Sequence, residues 1–421
     1  MKKTSIFLAS MVFLNAQTIH QLFDAVKNLP ETKIDNLMVK ETKIAKKTVA
    51  SAIYPQLKLF GSAEHYNTDM SIRPLTPTKS AQLIQMHKSI PFSQNIIRIG
   101  FDFSMPLFIK SIYDNKEKMS HLINATKYKA KLNLLQREAT LVVLLSNYNY
   151  LTALKKALLI QKRSIQKTIE AIKVGVEVGR IPEFKLLRLK DAVNQIDINV
   201  NQVETNIAKT KSQIYALTKE KLNSPVNFEA YEAKAGEYLA IKPIKENIIA
   251  SKLDVKSKKD EFVPKVMFKI NANRGFGWAY NTKDPVALNT ASAGIYISWN
   301  IFNKKNSSEI EKSKVAYMQN RLELQKTLKD LDARVQEIDK SLEIIKKSLI
   351  SAKKSVEIKK ELLKSAKVAF KLGTMTVDEY LTYENDLAKA KANLASLKAN
   401  KKSLIAQKAL IYGNNFKKVF K

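Results

Sequence analysis

The sequence contains no cysteine and only 4 histidines, and glycine and proline are scarce, at 10 and 11 in 421 residues. Without cysteine the chain can form no disulfide, offers no thiolate to a metal and has no thiol to carry a lipid. The histidines are scattered, and there is neither a His-Glu-x-x-His motif nor a phosphate-binding glycine loop. We therefore expect that the protein is not an enzyme and that it binds no metal and no cofactor. The scarcity of glycine and proline favours long helices.

The sequence also lacks an apolar run long enough to cross a membrane as a helix. The run from Ile6 to Leu14 follows two lysines and precedes Ala16, which is the pattern of a short secretory signal. We predict that residues 1–16 are a signal peptide cleaved after Ala16. Because a spanning helix needs about 20 apolar residues, we expect any membrane attachment of the exported chain to come from strands.

Acidic residues are few compared with basic ones: 39 Asp and Glu against 72 Lys and Arg give a formal net charge of +33. Such a charge can indicate binding to nucleic acid or to an anionic membrane surface. The lysines, however, fall mostly on the outer positions of predicted helices, as at Lys353 and Lys354, and no arginine-rich arm accompanies them. We interpret the charge as a solvated helix surface and expect no nucleic acid as a partner.

What the sequence does contain is an internal duplication. The turn 178–182 is followed by apolar residues at alternating three- and four-residue steps, the seam of a coiled coil, and a similar seam follows Gly373, 194 residues after Gly179. Matching seams precede both glycines, and glycine tolerates the left-handed conformation at a helix C-terminus. Each half is therefore predicted to contain a helical hairpin, about 109–220 and about 304–412.

A pair of strands precedes each hairpin. Apolar and polar residues alternate with a period of two, first from Leu57 and Ile97, then from Val266 and Ala293. The predicted strands are about 56–66, 95–106, 265–277 and 290–301. A helix ends just before each pair, about 31–51 and about 237–259.

This order occurs twice, so the chain divides into two repeats. The predicted parts are a first repeat, 17–220, a linker, 221–236, a second repeat, 237–412, and a C-terminal tail, 413–421. We expect the linker and the tail to gather at mid-height of the helical rods, as an equatorial region.

The strands have the height of outer-membrane strands, but one chain has too few to close a barrel. About 10 to 12 residues with one apolar face suit a tilted membrane strand, whereas the smallest single-chain barrels have about 8 strands. Open edges in lipid would leave backbone groups unpaired at several kcal/mol each. Strands that meet lipid must therefore be pooled by several copies, and three copies supply 12. The alternative is a soluble β-sandwich with one buried face.

The duplicated order of signal, helix, strand pair, long helix, glycine tip and returning helix resembles the TolC-like outer-membrane channels of bacterial efflux pumps and type I secretion systems. The fold class implied is mainly α with membrane β, a homotrimer with a 12-strand β-barrel in the bacterial outer membrane and a 12-helix α-barrel extending into the periplasm. The implied function is a passive exit duct. Its implied partners are outer-membrane lipid, a periplasmic adaptor protein, and an inner-membrane efflux or ABC transporter.

The resemblance assigns roles to the two tips by position. The residues implied to dock the adaptor are Val178, Gly179, Arg180, Ile181, Leu372, Gly373, Thr374 and Met375. Those implied to form the periplasmic entrance gate are Lys185, Glu379 and Thr382. We expect three Glu379 side chains to ring the entrance and Lys185 to offset their repulsion. Met375 and Thr382 depart from the arginine and the second carboxylate of the best-known family pattern.

Simpler alternatives are open at the tips and for the whole chain. Each tip is a tight helical hairpin in any case, and Thr376 with Glu379 has the spacing of a capping box. The chain could also be a periplasmic adaptor, although an adaptor needs only one hairpin. A basic coiled-coil scaffold or nucleic-acid binder inside the cell is a further alternative, which the predicted signal peptide disfavours.

Overall fold

The computed structural model describes residues 17–421, so the predicted signal peptide, 1–16, lies outside the described residues. The described residues form two compact units. The helical unit comprises 17–38, 127–243 and 325–421, and the sheet unit comprises 39–126 and 244–324. Within 17–421, no helix is both long enough and apolar enough to cross a membrane.

Two pairs of long helices dominate the chain. They are α4 (Lys110–Glu177) with α5 (Glu183–Thr218), and α7 (Lys304–Lys371) with α8 (Val377–Ile411). Helices α4 and α7 have the same length, 68 residues, as a duplicated chain requires. The shorter helices are α1 (Ile19–Lys27), α2 (Pro30–Ser51), α3 (Pro77–Gln85), α6 (Ile241–Lys259) and α9 (Phe416–Val419).

The apolar seams form the core of the helical unit. One buried cluster joins all four long helices, through Leu145 of α4, Ile214 of α5, Ile338 of α7 and Ile405 of α8. The buried residues of one helix lie three or four residues apart, as Ile338 and Leu342 of α7 do, so each helix presents one apolar stripe to its neighbours. Burial of these stripes is the main stabilising contribution, because isolated helices gain little from propensity alone.

The linker and the C-terminal tail pair with each other inside the helical unit. The backbone N–H of Glu229 donates to the carbonyl of Lys421 at 2.7 Å, and the N–H of Lys421 donates back at 3.1 Å. Phe420 is fully buried, with its ring edge-on to Phe228 at a centroid distance of 6.1 Å. The two segments therefore close over the same core, which no periodicity in the sequence indicates.

The sheet unit contains one antiparallel sheet in the order β1-β2-β3-β4. The strands are β1 (Gln56–Ser71), β2 (Phe92–Phe108), β3 (Lys265–Trp278) and β4 (Pro285–Ser298). The register aligns Leu59, Phe101, Ala272 and Ala291 in one row across the four strands. Because side chains alternate along each strand, this register puts the apolar residues of all four strands on one face.

The apolar face of the sheet is exposed, and the opposite face is polar. Leu59 is 83% exposed and Ile297 is 70% exposed. On the other face Asn271 Nδ2 donates to Asp102 Oδ1 at 2.6 Å, and Arg98 pairs with Glu64. Among the described residues no second sheet covers the apolar face, so a single chain does not form the β-sandwich of the alternative prediction.

Three of the four predicted strand ranges, 56–66, 95–106 and 290–301, are wrong at their ends. Strand β1 continues to Ser71 rather than about 66, and β2 runs from Phe92 to Phe108, because Met70 and Ser71 resume pairing with β2 after an irregularity. Strand β4 runs from 285 to 298 rather than from 290 to 301. After it, the Trp299 indole donates to the Phe262 carbonyl at 2.7 Å, which turns the chain away from the ladder.

Two helical segments also differ from the sequence prediction. The loop between β1 and β2 contains α3, whose first turn is capped when Thr76 Oγ1 accepts from the N–H of Lys79. Helix α6 begins at Ile241, not at about 237, because the N–H of Leu239 donates to the carbonyl of Ile411 at 2.8 Å. The residues before Ile241 are thus tied to the end of α8.

Candidate functional site at the hairpin tips

The first tip is a backbone turn that ends α4. Gly179 has φ +72°, a left-handed conformation that favours glycine. The N–H of Ile181 donates to the carbonyl of Gly175 at 2.9 Å and satisfies one of the acceptors left free at the helix end. Val178 and Arg180 are exposed to solvent at this turn.

The second tip ends α7 in a similar way. Gly373 has φ +79°. The N–H of Thr374 donates to the carbonyl of Ala369 at 3.1 Å, and the Thr374 hydroxyl donates to the same carbonyl at 3.0 Å. Leu372 is 73% exposed at this tip.

The two tips differ at the position in the last turn of α4 and α7 that lies two residues before the end of each helix. A Cβ on Gly175 would lie 2.8 Å from Cδ1 of Ile181, so glycine at 175 is what lets Ile181 fold back onto α4. The equivalent residue of the second repeat is Ala369. Ile181 and Met375 both pack against the buried tip cluster. The other six residues implied to dock an adaptor are exposed.

A buried cluster, which we call the tip core, joins the two hairpins behind these turns. Tyr380 is completely buried there, and its ring stacks on Phe370 with centroids 4.9 Å apart. Its hydroxyl donates to Glu384 Oε1 at 2.7 Å and lies 3.0 Å from Thr168 Oγ1 of α4. Burial raises the pKa of Tyr380, so its hydroxyl stays protonated. The members of the tip core are Ile165, Ile172, Leu189, Ile196, Val200, Phe370, Val377 and Tyr380.

An exposed ion pair also connects the hairpins near the tips. Arg188 of α5 pairs with Asp378 of α8. Neither residue is among the predicted site residues. The sequence does place these opposite charges close to the tips, Arg188 nine residues after Gly179 and Asp378 five residues after Gly373. Periodicity, however, does not show that α5 and α8 are neighbours.

These tips and strands can be compared with known proteins. The sequence matches no protein-family model and no curated protein. The structure is similar to CusC, described as forming a transmembrane channel, with a TM-score of 0.77 and 12% identity over 94% of this chain and 92% of that one. It is also similar to the outer membrane channel CmeC of Campylobacter jejuni, with a TM-score of 0.76 and 15% identity over 94% and 85% of the two chains.

A third similar structure is the outer membrane protein VceC of Vibrio cholerae, with a TM-score of 0.76 and 13% identity over 94% of this chain and 96% of that one. The chain has the fold of the TolC-like outer-membrane channels. The fold of the single chain that the resemblance implies, mainly α with one four-stranded sheet, is therefore confirmed. At 12% to 15% identity the channel fold is what these comparisons establish.

Within one chain of this channel fold, two of the predicted gate residues, Glu379 and Thr382, form hydrogen bonds at the start of α8. Glu379 Oε2 accepts from the N–H and from the hydroxyl of Thr376, each at 2.8 Å, which completes a capping box. The backbone hydrogen bond from Thr376 holds the pKa of Glu379 below its usual range. Thr382 donates to the Asp378 carbonyl at 2.8 Å. Lys185 is half-buried and forms no ion pair with Glu379 among residues 17–421.

Basic residues on the predicted seams have partners in the channel fold. Lys162 of α4 contacts both carboxylate oxygens of Asp197 of α5 at 2.6 and 2.7 Å. Lys359, which lies between the apolar residues Val356 and Leu363 of α7, pairs with Asp386 of α8 at 2.5 Å. A lysine on a seam is thus tolerated because a carboxylate on the facing helix pairs with it.

Between Gln17 and Lys421, no three His, Cys, Asp or Glu side chains come together in a way that could hold a metal ion. The polar groups at the tips act as helix caps and ion pairs between helices.

Proposed function

We propose that this protein is a passive exit duct of the bacterial outer membrane. In this proposal three copies pool their strands into a 12-strand barrel, and their helices form a 12-helix barrel that extends into the periplasm. A periplasmic adaptor docks at the tips, and an inner-membrane efflux or ABC transporter supplies the energy. The chain itself is not an enzyme.

The observation that carries the proposal is the sheet. Its two outer strands, β1 and β4, each pair on one side only within the described chain, while its apolar face is exposed. Lipid would suit the apolar face but would leave the two open edges unpaired at several kcal/mol per backbone group. If β1 of one copy pairs with β4 of the next, the apolar face can contact lipid and no backbone group at the sheet edges is left unpaired.

Apolar surface on the helices of the sheet unit supports association of copies. A cavity of about 660 Å³ lies between α6 and α7, with Ile249, Leu253, Tyr317 and Met318 in its walls. Met318 is 56% exposed and Ile249 is 41% exposed. Exposed apolar patches of this kind commonly mark protein interfaces, and a neighbouring copy would cover this one.

The tips support docking of a partner. Val178 and Leu372 are 61% and 73% exposed at the ends of two tightly built turns. Rigid turns keep these side chains in place without a partner, so little ordering is needed when a partner binds. We propose that these two side chains and the adjoining glycines contact the adaptor, while Ile181 and Met375 position the turns from behind.

The proposal is tested by locating and reconstituting the protein. Expressed in a bacterium with an outer membrane, it is expected in the outer-membrane fraction as a heat-modifiable trimer, and the purified trimer should form pores in a planar lipid bilayer. Leu59→Lys, on the apolar face, should reduce insertion, because a basic residue facing lipid costs about 2–4 kcal/mol. Thr290→Lys, on the polar face, is the matched control. A soluble monomer would refute the proposal.

A further inference from the structure

The polar face of the sheet has a notch at one end, where β3 carries two glycines. Gly275 and Gly277 are two residues apart, and Gly275 is paired with Arg98 of β2, whose side chain lies on the polar face. Because side chains alternate along a strand, both glycines leave that face bare. Glycine inside a strand often marks a place where another part of the chain approaches closely.

Ile72, the first residue after β1, fills this notch. A Cβ on Gly275 would lie 2.8 Å from Cγ2 of Ile72, and a Cβ on Gly277 would lie 2.8 Å from Cδ1 of Ile72. Ile72 is 3% exposed. A side chain at either glycine would therefore displace Ile72. The chain leaves β1 over the polar face of the sheet, not over the apolar face.

The polar face is covered at this end, whereas the apolar face is open. Ile96 of β2, which is paired with Glu64 on the polar face, is completely buried. Leu288 of β4, which is paired with Gly275, is half-buried. On the apolar face the neighbouring Ile97 is 52% exposed. The cover over the polar face is formed within one chain.

The segment that begins at Ile72 is fixed at both of its ends. The N–H of Ile72 donates to the carbonyl of Pro91 at 2.8 Å. The N–H of Ile90 donates at 2.9 Å to Oδ1 of Asn281, in the turn between β3 and β4. Between these ends, α3 has no buried residue within the described chain, so the ends alone hold the segment in place. We call residues 72–91 the strap.

The connectivity places the strap at the outer mouth of the proposed barrel. Helix α2 ends before β1 and α4 begins after β2, so both helices join the sheet at the end opposite the strap. In the proposed barrel the apolar face contacts lipid and the polar face lines the lumen. A strap that leaves over the polar face therefore lies over the lumen, on the side away from the helices.

We propose that the straps of three copies form a constriction at the outer mouth of the barrel and limit the size of the solutes that leave. Ile72, seated in the notch over Gly275 and Gly277, holds each strap over the lumen. The constriction needs no ligand, because every contact that seats a strap is made within one chain. This inference rests on the trimeric exit duct proposed above.

The test measures access to the lumen from outside intact cells that express the full-length protein. Ser292→Cys places the only cysteine of the chain at an exposed position on the polar face, opposite Asn271. A small maleimide should label this cysteine, whereas a maleimide carried on a large polyethylene glycol should be excluded by the straps. Both reagents enter from the outer side, so the ratio of their labelling rates reports the outer mouth whatever the state of the periplasmic tips.

Three point variants in this background test the seat of the strap. Ile72→Ser empties the notch and is expected to raise the relative labelling rate of the large reagent on the order of tenfold, because the opening widens. Gly277→Val fills the notch from the β3 side and should act in the same direction. Ile84→Ser, at a 55% exposed position of α3, is the matched control and should change the rate less than about twofold.

A fourth variant removes the strap. Replacement of residues 73–90 by Asn-Gly joins Ile72 and Pro91, which already share a backbone hydrogen bond, through a two-residue hairpin turn. It should raise the relative rate of the large reagent at least as much as Ile72→Ser does. This variant decides the question should a point variant fail to assemble.

Heat-modifiable trimers in the outer-membrane fraction are measured on the same samples, which separates the constriction from the exit duct. Trimers of Ser292→Cys that both reagents label equally fast would overturn the constriction and leave the exit duct standing. So would trimers without the strap that still exclude the large reagent, or that neither reagent labels. The absence of trimers in Ser292→Cys itself would overturn the exit duct and the constriction with it.

Discussion

Arg188 of α5 contacts Asp378 of α8, so an exposed ion pair holds the two hairpin tips together in front of the buried tip core. Both side chains are more than half exposed. Exposed pairs contribute at most about 1 kcal/mol to stability. This pair therefore contributes little to the stability of the fold and only weakly restrains the two tips relative to each other.

Removal of this pair is expected to loosen the tips without unfolding the protein. Arg188→Ser should leave the melting temperature in detergent nearly unchanged, because the pair is solvent-screened. Single-channel conductance in a planar bilayer should rise if the tips narrow the entrance. The charge exchange Arg188→Asp/Asp378→Arg should return conductance toward the wild-type value. An unchanged conductance in Arg188→Ser would show that the pair is no part of a gate.

Two variants separate the roles of Glu379 as a helix cap and as a charge at the entrance. Glu379→Gln keeps an acceptor for the N–H of Thr376 but removes the carboxylate, whereas Thr376→Ala removes half of the capping box and keeps the charge. We expect Glu379→Gln to reduce the cation preference of the pore and Thr376→Ala to leave it unchanged. Reversal potentials in a salt gradient measure both. A normal preference in Glu379→Gln would leave Glu379 with its capping role alone.

Gly175→Ala tests the packing of the first tip, because the expected change in stability is opposite to the one that helix propensity predicts. In a helix interior Gly→Ala normally stabilises by about 1 kcal/mol. At position 175 the new Cβ would meet Ile181 Cδ1 at 2.8 Å, so Gly175→Ala is expected to lower the melting temperature. Gly175→Ala/Ile181→Ala should recover part of the loss because the clash is gone. Gly236→Ala, in the linker between α5 and α6, where no atom lies within 4 Å of the added Cβ, controls for the loss of a glycine without a clash.

Stability is expected to depend on pH through Glu138 of α4. Glu138 is 4% exposed, and burial raises its pKa to about 7 from an ordinary value of 4.5, against the opposing charges of Lys27 and Lys417. A raised carboxyl pKa favours the protonated folded form. The stability that protonated Glu138 adds to the folded state is complete below about pH 4.5 and is lost as the pH rises through 7.

Glu138→Gln should therefore raise the melting temperature at pH 8 and change it little at pH 4.5. The difference corresponds to on the order of 3 kcal/mol if the full pKa shift is realised. The exposed Glu361→Gln is the control for a lost surface charge. Equal pH dependence in wild type and Glu138→Gln would contradict this origin.

Periodicity in the sequence is sufficient for the hairpins and for the existence of the strands. The heptad seams and the two glycines define α4, α5, α7 and α8, because burial of one stripe per helix is what a coiled coil requires. Strand ends are less well defined by the same signal. Polar residues near Met70 continue β1 because β2 offers them backbone partners, and alternation does not report that pairing.

The candidate site was only partly accessible from the sequence. The turns around Gly179 and Gly373 follow from local chemistry. The contacts of Tyr380 with Thr168 and of Arg188 with Asp378 join residues about 190 to 210 positions apart, and they depend on which hairpin helices are neighbours.

The pooling of strands by several copies is tested most directly by cysteine cross-linking, which the cysteine-free chain makes unambiguous. Within one chain β2 and β3 separate β1 from β4 by about 14 Å, whereas a disulfide needs Cα atoms within about 7 Å. Ser62→Cys on β1, combined with Thr290→Cys or Ser292→Cys on β4, can therefore cross-link only between copies.

The account predicts that at least one of these two double variants, oxidised in outer membranes, migrates as a covalent trimer that reductant converts to monomer. Each single-cysteine variant should stay monomeric in denaturing gels. Monomers in both oxidised double variants, with every cysteine still accessible to a maleimide, would contradict a barrel closed by β1 and β4 of neighbouring copies.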